Sequence, residues 1–320
     1  MPDSLIRPIG FGRTPYFIAA LSVPVMDEGE IDFNQFAEDL ERTAGYGVEP
    51  AVLMDTYQVN HCTKEQQVRG LEVTREVMNG RPFTAGVYIE DEIEEDGVEV
   101  IIRAYQRKIE LFEQTYGASP IIIQTEGLKD TDASTVIHVY NELAKASRGG
   151  LKAFELSPVF APNGWMFPEE SLIEIMAGDK WIGTKHSSLN PSMEWVLLQK
   201  MNQIGKRLFT GNDYDFASMI FNGSDALLGI ATFIPDKFRE LSDALRDGDK
   251  KRYFELATGM EFLGRVAFQP PVPAYKHGAA MVKKIRGWYT TDHLLPNNPF
   301  VRDDAHREEL RAALQYLEVV

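Results

Sequence analysis

"KWIGTKHSS", residues 180–188, reads as a strand of apolar and small residues that nevertheless carries a lysine in its interior. Trp181 and Ile182 are apolar, Gly183 and Thr184 are small, and Ser187 and Ser188 precede the turn signal Asn190-Pro191. Removing an ammonium from water costs on the order of several kcal/mol unless the group is paired or neutral. Lys185 therefore calls for a local reason.

Working outward, seven more runs of the same kind recur: "YFIAALSVPV" (16–25), "PAVLMDT" (50–56), "PFTAGVY" (82–88), "SPIIIQT" (119–125), "LKAFELS" (151–157), "RLFTGND" (207–213) and "ALLGIAT" (226–232). Between them lie amphipathic stretches such as "DFNQFAEDLERTAGYG" (32–47) and "STVIHVYNELAKA" (134–146), with apolar residues three and four apart. Gly47, Gly117 and Gly150 fall where helices would end, a position that favours glycine. Strands apolar throughout and alternating with helices are the pattern of parallel strands buried on both faces. Eight such units predict an α/β fold of the (β/α)8 TIM-barrel type. A doubly wound open sheet is the competing arrangement, disfavoured because no glycine-rich phosphate loop follows the first strand. Beyond the eighth run the pattern turns to helix only: 235–249, 251–268, 274–289 and 303–320, broken by "QPPVP" (269–273) and "LLPNNP" (294–299). The expected division is a barrel over 1–235 and a C-terminal helical region over 236–320.

Composition narrows the function. The chain has 320 residues, 44% of them hydrophobic, and 33 basic against 48 acidic side chains give a formal charge of −15. Such a balance argues against nucleic acid and against an anionic membrane surface as partners. No run of apolar residues is long enough for a membrane span, and a single cysteine, Cys62, precludes an internal disulfide, so a cytoplasmic location is expected. The acidic stretch 89–99 reads as a solvated loop and helix start, Trp165 and Phe167 in "NGWMFP" (163–168) as packing aromatics, and the lysine pairs 250–251 and 283–284 as surface charges.

In a barrel, active sites form at the C-terminal ends of the strands. That rim would gather Asp55, Thr56, Tyr57, Tyr88, Glu126, Phe154, Glu155, Lys185, His186, Ser187, Asn212, Asp213 and Thr232. A lysine desolvated there has a depressed pKa and can attack a carbonyl to form a Schiff base. Pairing with Asp213 or Glu155 is the alternative reason for Lys185.

"IGTKHSS" (182–188) resembles the Gly-hydrophobic-Lys-acid-Ser/Thr signature of the dihydrodipicolinate synthase and N-acetylneuraminate lyase family of Schiff-base aldolases. The block 208–249 is similar to that family's Ser-Gly-Asp-Asp segment and Gly-hydrophobic-Ile-Ser strand, and 18–41 to its first strand and helix. The resemblance implies a barrel with a helical C-terminal region, Lys185 as the Schiff-base residue, no cofactor besides that covalent lysine, a small-molecule carbonyl substrate, and a homodimer or homotetramer. Carried over in the same way, Asp55, Thr56, Tyr57, Glu126, Phe154, Glu155, Ser187, Asn212 and Ile230 would border the substrate. The departures bear on chemistry. "MDTYQVN" (54–60) stands where the family has Gly-Thr-Thr-Gly-Glu, so Asp55 and Tyr57 replace the glycine and second threonine that flank Thr56. Phe154 stands where the family has a proton-relaying tyrosine, and a phenyl ring transfers no proton. "IQTEGLKD" (123–130) loses another tyrosine and brings Glu126.

Three readings follow. The first is a lyase, aldolase or dehydratase that uses Lys185 on a 2-keto acid or related carbonyl compound, but is not a true dihydrodipicolinate synthase; Glu126, Glu155 or His186 would move protons. The second is a ligand-binding protein on the same scaffold. The third is a metal-assisted enzyme with Asp55, Glu126, Glu155, His186 and Asp213 as ligands.

Overall fold

A computed structural model describes residues 10–93, 97–161 and 164–320. The N-terminal stretch 1–9, the middle of the acidic segment (94–96) and Asn163 of "NGWMFP" lie outside the described residues.

Each run named above contributes one parallel strand: β1 (Phe17–Ala20), β2 (Glu49–Val52), β3 (Thr84–Val87), β4 (Ser119–Ile122), β5 (Leu151–Leu156), β6 (Trp181–Ser187), β7 (Arg207–Thr210) and β8 (Asp225–Leu228). They pair in chain order and β8 closes on β1, so the sheet is a closed barrel and the open doubly wound alternative is excluded. Helices α1 (Phe33–Gly45), α2 (Lys64–Met78), α3 (Val98–Leu111), α4 (Ala133–Ala146), α5 (Glu169–Met176), α6 (Pro191–Gln203), α7 (Ala217–Phe221) and α8 (Pro235–Asp247) follow the strands in turn. The helix starts are set by side chains: Asp32 accepts the N–H groups of Asn34 and Gln35, and Asp132 that of Thr135. Gly183, inside the opening segment, is needed for close approach, because a Cβ there would lie 2.2 Å from the carbonyl oxygen of Arg207 on β7.

Two strand lysines point into the barrel, and the sheet separates them. Lys152 of β5 is near the N-terminal end, where its Nζ donates to Ser119 Oγ (2.6 Å) and Thr84 Oγ1 (3.1 Å), and Thr84 in turn donates to Glu49 Oε1 (2.6 Å). That end of a barrel carries stability rather than chemistry. Lys185 sits further along β6, in register with Phe154 of β5 and Phe209 of β7.

The chain then adds α9 (Lys250–Ala267), α10 (Tyr275–Ile285) and α11 (Asp304–Tyr316). Helix α8 follows β8 as the other helices follow their strands, and α9 and α11 pack as a pair beyond it. Helix α10 is anchored against α1 by Lys283, which corrects the surface reading of residues 283–284. Its ammonium is wholly buried against Asp39, and donates to Thr232 Oγ1 at 2.7 Å and to the Tyr289 hydroxyl at 3.1 Å. Burial, opposed by Asp39, brings its pKa down to about 8. Its neighbour Lys284 is the exposed member, bonded to Asp292 at 2.9 Å. Cys62 is partly buried, with its sulfur 3.5 Å from the Gln58 carbonyl oxygen. Trp165 donates to the Thr125 carbonyl oxygen at 3.2 Å and meets Phe167 edge-on at 4.7 Å, so both are packing residues.

Candidate active site

Alternation along β6 decides what surrounds Lys185. Lys185 and Ser187 share the lumenal face, whereas His186 points outward to the helices. Lys185 is 7% exposed and makes no hydrogen bond or ion pair among the described residues; its Nζ lies 4.3 Å from the centre of the Phe154 ring. Burial lowers its pKa to about 8, and the nearby carboxylates of Asp213 and Asp55 act in the opposite sense. The pairing with Asp213 or Glu155 offered from sequence is therefore not formed as a direct bridge.

Asp213 follows β7 and is itself buried. Its Oδ1 accepts the N–H of Ile230 at 2.7 Å, yet burial outweighs that bond and the charge of Lys185, raising its pKa to about 7. Lys185 at about 8 and Asp213 at about 7 are thus close in proton affinity, and protonation of one favours deprotonation of the other.

The third component comes from α10. The Tyr275 hydroxyl donates to Asp55 Oδ2 at 2.9 Å and lies 2.8 Å from Thr56 Oγ1, while Lys276 Nζ pairs with Asp55 Oδ1 at 2.8 Å. The Tyr275 ring stacks on Phe268 with centroids 4.4 Å apart. Gly229 makes room for both rings: a Cβ there would lie 3.2 Å from each and 3.4 Å from Asp213 Oδ1. Tyr275 is held well above an ordinary tyrosine pKa by burial and by Asp55, so it stays protonated. Sequence reasoning missed Tyr275 and Lys276 altogether.

Asp55, Tyr88, Glu90, Glu126 and Leu156 are among the residues that line a cavity of about 330 Å³ at the C-terminal ends of the strands. Ser187 Oγ and Asn212 Nδ2 are buried and without hydrogen-bond partners, and Gly211 leaves space for Ser187, since a Cβ there would lie 2.1 Å from its hydroxyl.

The structure thus brings Lys185, Phe154, Asp55, Thr56 and Asp213 together, with Ile230 supplying a backbone donor and Glu126 lining the mouth. Tyr57 and Glu155 lie elsewhere. Tyr57 turns toward α1 and α2: its ring meets Phe36 edge-on at 5.4 Å, and a Cβ at Gly70 would come 2.2 Å from its hydroxyl. Glu155 points outward and bonds His186 Nδ1 at 2.8 Å. Burial lowers the His186 pKa, but the charge and hydrogen bond of Glu155 outweigh it and the net shift is upward. Glu194 of α6 stands behind this pair, pushed up to about 7 by burial. Among the described residues no three His, Cys, Asp or Glu side chains group so as to hold a metal ion, and the five ligands offered from sequence are split between these two places.

The family described as "Protein of unknown function (DUF993)" matches residues 19–313, nearly the whole chain. The chain belongs to that family. In three dimensions this DUF993 chain is similar to a dihydrodipicolinate synthase from Thermotoga maritima: TM-score 0.80 and 16% identity, over 96% of this chain and 99% of that one. It is similar as well to a prophage protein of the dihydrodipicolinic acid synthase family from E. coli K12, solved with pyruvate (TM-score 0.79, 16% identity, 96% of this chain and 99% of that one). A third is a dihydrodipicolinate synthase variant described as monomeric (TM-score 0.79, 15% identity, 97% and 99%). At such identities the likeness is one of fold, and it is the fold that the lysine segment and the 208–249 block led us to expect. A comparison with curated proteins finds no match.

Proposed function

We propose that this DUF993 protein is a carbon–carbon lyase of the class I aldolase type, or a dehydratase, acting on a 2-keto acid or related carbonyl compound through a Schiff base on Lys185. The observation that carries the reading is a buried strand lysine with no ion-pair partner, its pKa brought down to about 8, at the catalytic end of the barrel. In the first step the neutral Nζ bonds to the carbonyl carbon. The oxygen takes up two protons and leaves as water, and nitrogen gives up one of its two protons, so one proton is consumed overall and an iminium results. The iminium then accepts the electron pair of a breaking C–C or C–H bond at the neighbouring carbon, giving an enamine. A base must take the proton released in that step. Asp213 is the carboxylate best matched to it, with a pKa near neutrality. Tyr275, protonated and hydrogen-bonded to Asp55 and Thr56, is the acid nearest in kind to what Phe154 cannot supply.

Proton NMR in D2O tests this. With pyruvate, other 2-keto acids, 2-keto-3-deoxy sugar acids, dihydroxyacetone and glyceraldehyde as probes, the native protein should exchange the hydrogens next to the carbonyl of at least one compound, and Lys185→Ala should not. Equal exchange by the two proteins refutes the reading. Phe154 lends weight to a second reading, a ligand-binding protein on this scaffold, for which binding without exchange is the expected outcome. The first reading also implies a homodimer or homotetramer in the cytoplasm, to be checked by light scattering and fractionation. No helix among the described residues is long and apolar enough to cross a membrane.

A further inference from the structure

We propose that the substrate of the Lys185 site is an uncharged, polyhydroxylated aldehyde or ketone, and that Asp55 excludes compounds with a carboxylate beside the carbonyl. The inference rests on the Schiff-base reading above and concerns what that site accepts. Three groups near the lysine could receive a substrate carboxylate: the ammonium of Lys276 and the hydroxyls of Tyr275 and Thr56. All three are already committed to one another and to the chain's own carboxylate. Lys276 Nζ is 2.8 Å from Asp55 Oδ1, Tyr275 donates to Asp55 Oδ2 at 2.9 Å, and Thr56 Oγ1 is 2.8 Å from the same tyrosine hydroxyl. The Asp55 charge also reaches Lys185. A second carboxylate there would face a like charge in a poorly solvated place, which disfavours it strongly.

The mouth repeats the message. Its cavity is lined by Asp55, Glu90 and Glu126, and by no lysine, arginine or histidine among the described residues. What remains for a ligand there is mixed in kind: carboxylate oxygens that accept, and the Tyr88 hydroxyl and Asn60 amide, which both donate and accept. Substrate hydroxyls both donate and accept and so satisfy such a set, whereas an ammonium only donates and a carboxylate only accepts.

Borohydride trapping with mass mapping of the Lys185 peptide tests the proposal, using dihydroxyacetone, glyceraldehyde and pyruvate as probes and normalising each to its reaction with a free-amine standard. The native protein should label at Lys185 on the order of 10- to 100-fold faster with dihydroxyacetone or glyceraldehyde than with pyruvate. Asp55→Ser, which frees Lys276, Tyr275 and Thr56, should reverse the preference by a similar factor. Asp55→Asn removes the charge but keeps the side chain's size and an acceptor for Tyr275, and should gain pyruvate labelling as well, so a folding defect of the serine variant leaves the test intact. Faster native labelling by pyruvate overturns the substrate class while upholding the lysine chemistry, and so does an unchanged preference in both variants. No labelling of Lys185 by any probe overturns the lysine chemistry and this inference with it.

Discussion

Lys185 should titrate as a neutral-pH amine, and pH alone is a sufficient perturbation to show it. With a pKa of about 8, the reactive neutral fraction is about 1% at pH 6, about 9% at pH 7 and about 90% at pH 9. An ordinary lysine near 10.5 would be only about 0.03% neutral at pH 7, roughly 300-fold less. Between pH 6 and 9 the two cases differ in shape as well as size: a rise of about 90-fold that bends over near pH 8 for Lys185, against a rise of about 1,000-fold with no bend for an unperturbed amine. Trace acetylation by isotopically labelled acetic anhydride, read on the peptide containing Lys185 and divided by the rate of a small reference amine, measures this without knowledge of the substrate. Slow access through the barrel mouth scales every point alike and leaves the bend in place. A rate that climbs log-linearly beyond pH 9 would refute the account of how burial and the two carboxylates set this lysine.

Other outcomes follow from other contacts. Tyr275→Phe removes bonds to Asp55 and Thr56 but keeps the ring against Phe268; it should cost about 1–3 kcal/mol in urea unfolding and slow Schiff-base formation by on the order of 10²-fold, and an unchanged trapping rate would remove Tyr275 from the chemistry. Lys283→Met takes one partner from the buried Asp39 and leaves it Arg42 at 3.1 Å and the Tyr289 hydroxyl at 3.2 Å, so a loss of about 1–3 kcal/mol is expected from denaturation midpoints; an unchanged midpoint would contradict the anchoring of α10 on α1. Gly264→Ala places a Cβ 2.1 Å from the Asp213 carbonyl oxygen and should destabilise by about 1–3 kcal/mol or more, while lowering Lys185 labelling in the folded protein. Glu155→Gln should cost most at acid pH. Because His186 has its pKa raised in the folded state, the stabilisation from its partner is complete below about 6.5 and is lost as pH rises through the folded value. A native-minus-variant difference that grows from pH 6 to pH 9 would reverse that assignment.

The barrel was legible because its strands are buried on both faces, which leaves continuous apolar runs with little else to mean. The run around Lys185 was the most informative, since a charge in such a segment has few bland explanations. Which way each neighbour points was harder to read. Glu155 and His186 sit beside Phe154 and Lys185 in sequence, and strand alternation sends them to the opposite face, where they satisfy each other. Tyr57 differs from Thr56 by one position and ends against Gly70, because the chain leaves β2 through a tight turn that strand periodicity does not describe. Tyr275 and Lys276 were illegible for another reason: they arrive from a helix some 90 residues beyond Lys185, whose pattern reads only as amphipathic. One signal was present. A lysine in the first turn of a helix opposes the helix dipole, and Lys276 at the start of α10 therefore asked for a carboxylate partner elsewhere, which is Asp55. Lys283 gave no such sign, since a cation in a last turn is where a solvated one is expected; only the docking of α10 on α1 buries it.

The central claim is that Lys185 is the covalent nucleophile. The most direct measurement is intact-mass and peptide analysis of the protein reduced with borohydride in the presence of a panel of keto acids, hydroxy ketones and hydroxy aldehydes, run beside Lys185→Ala. The account predicts a single adduct per chain whose mass matches the reduced imine, on the Lys185 peptide and absent from the variant. An adduct of equal yield in Lys185→Ala, or none in the folded native protein with any compound, would contradict it.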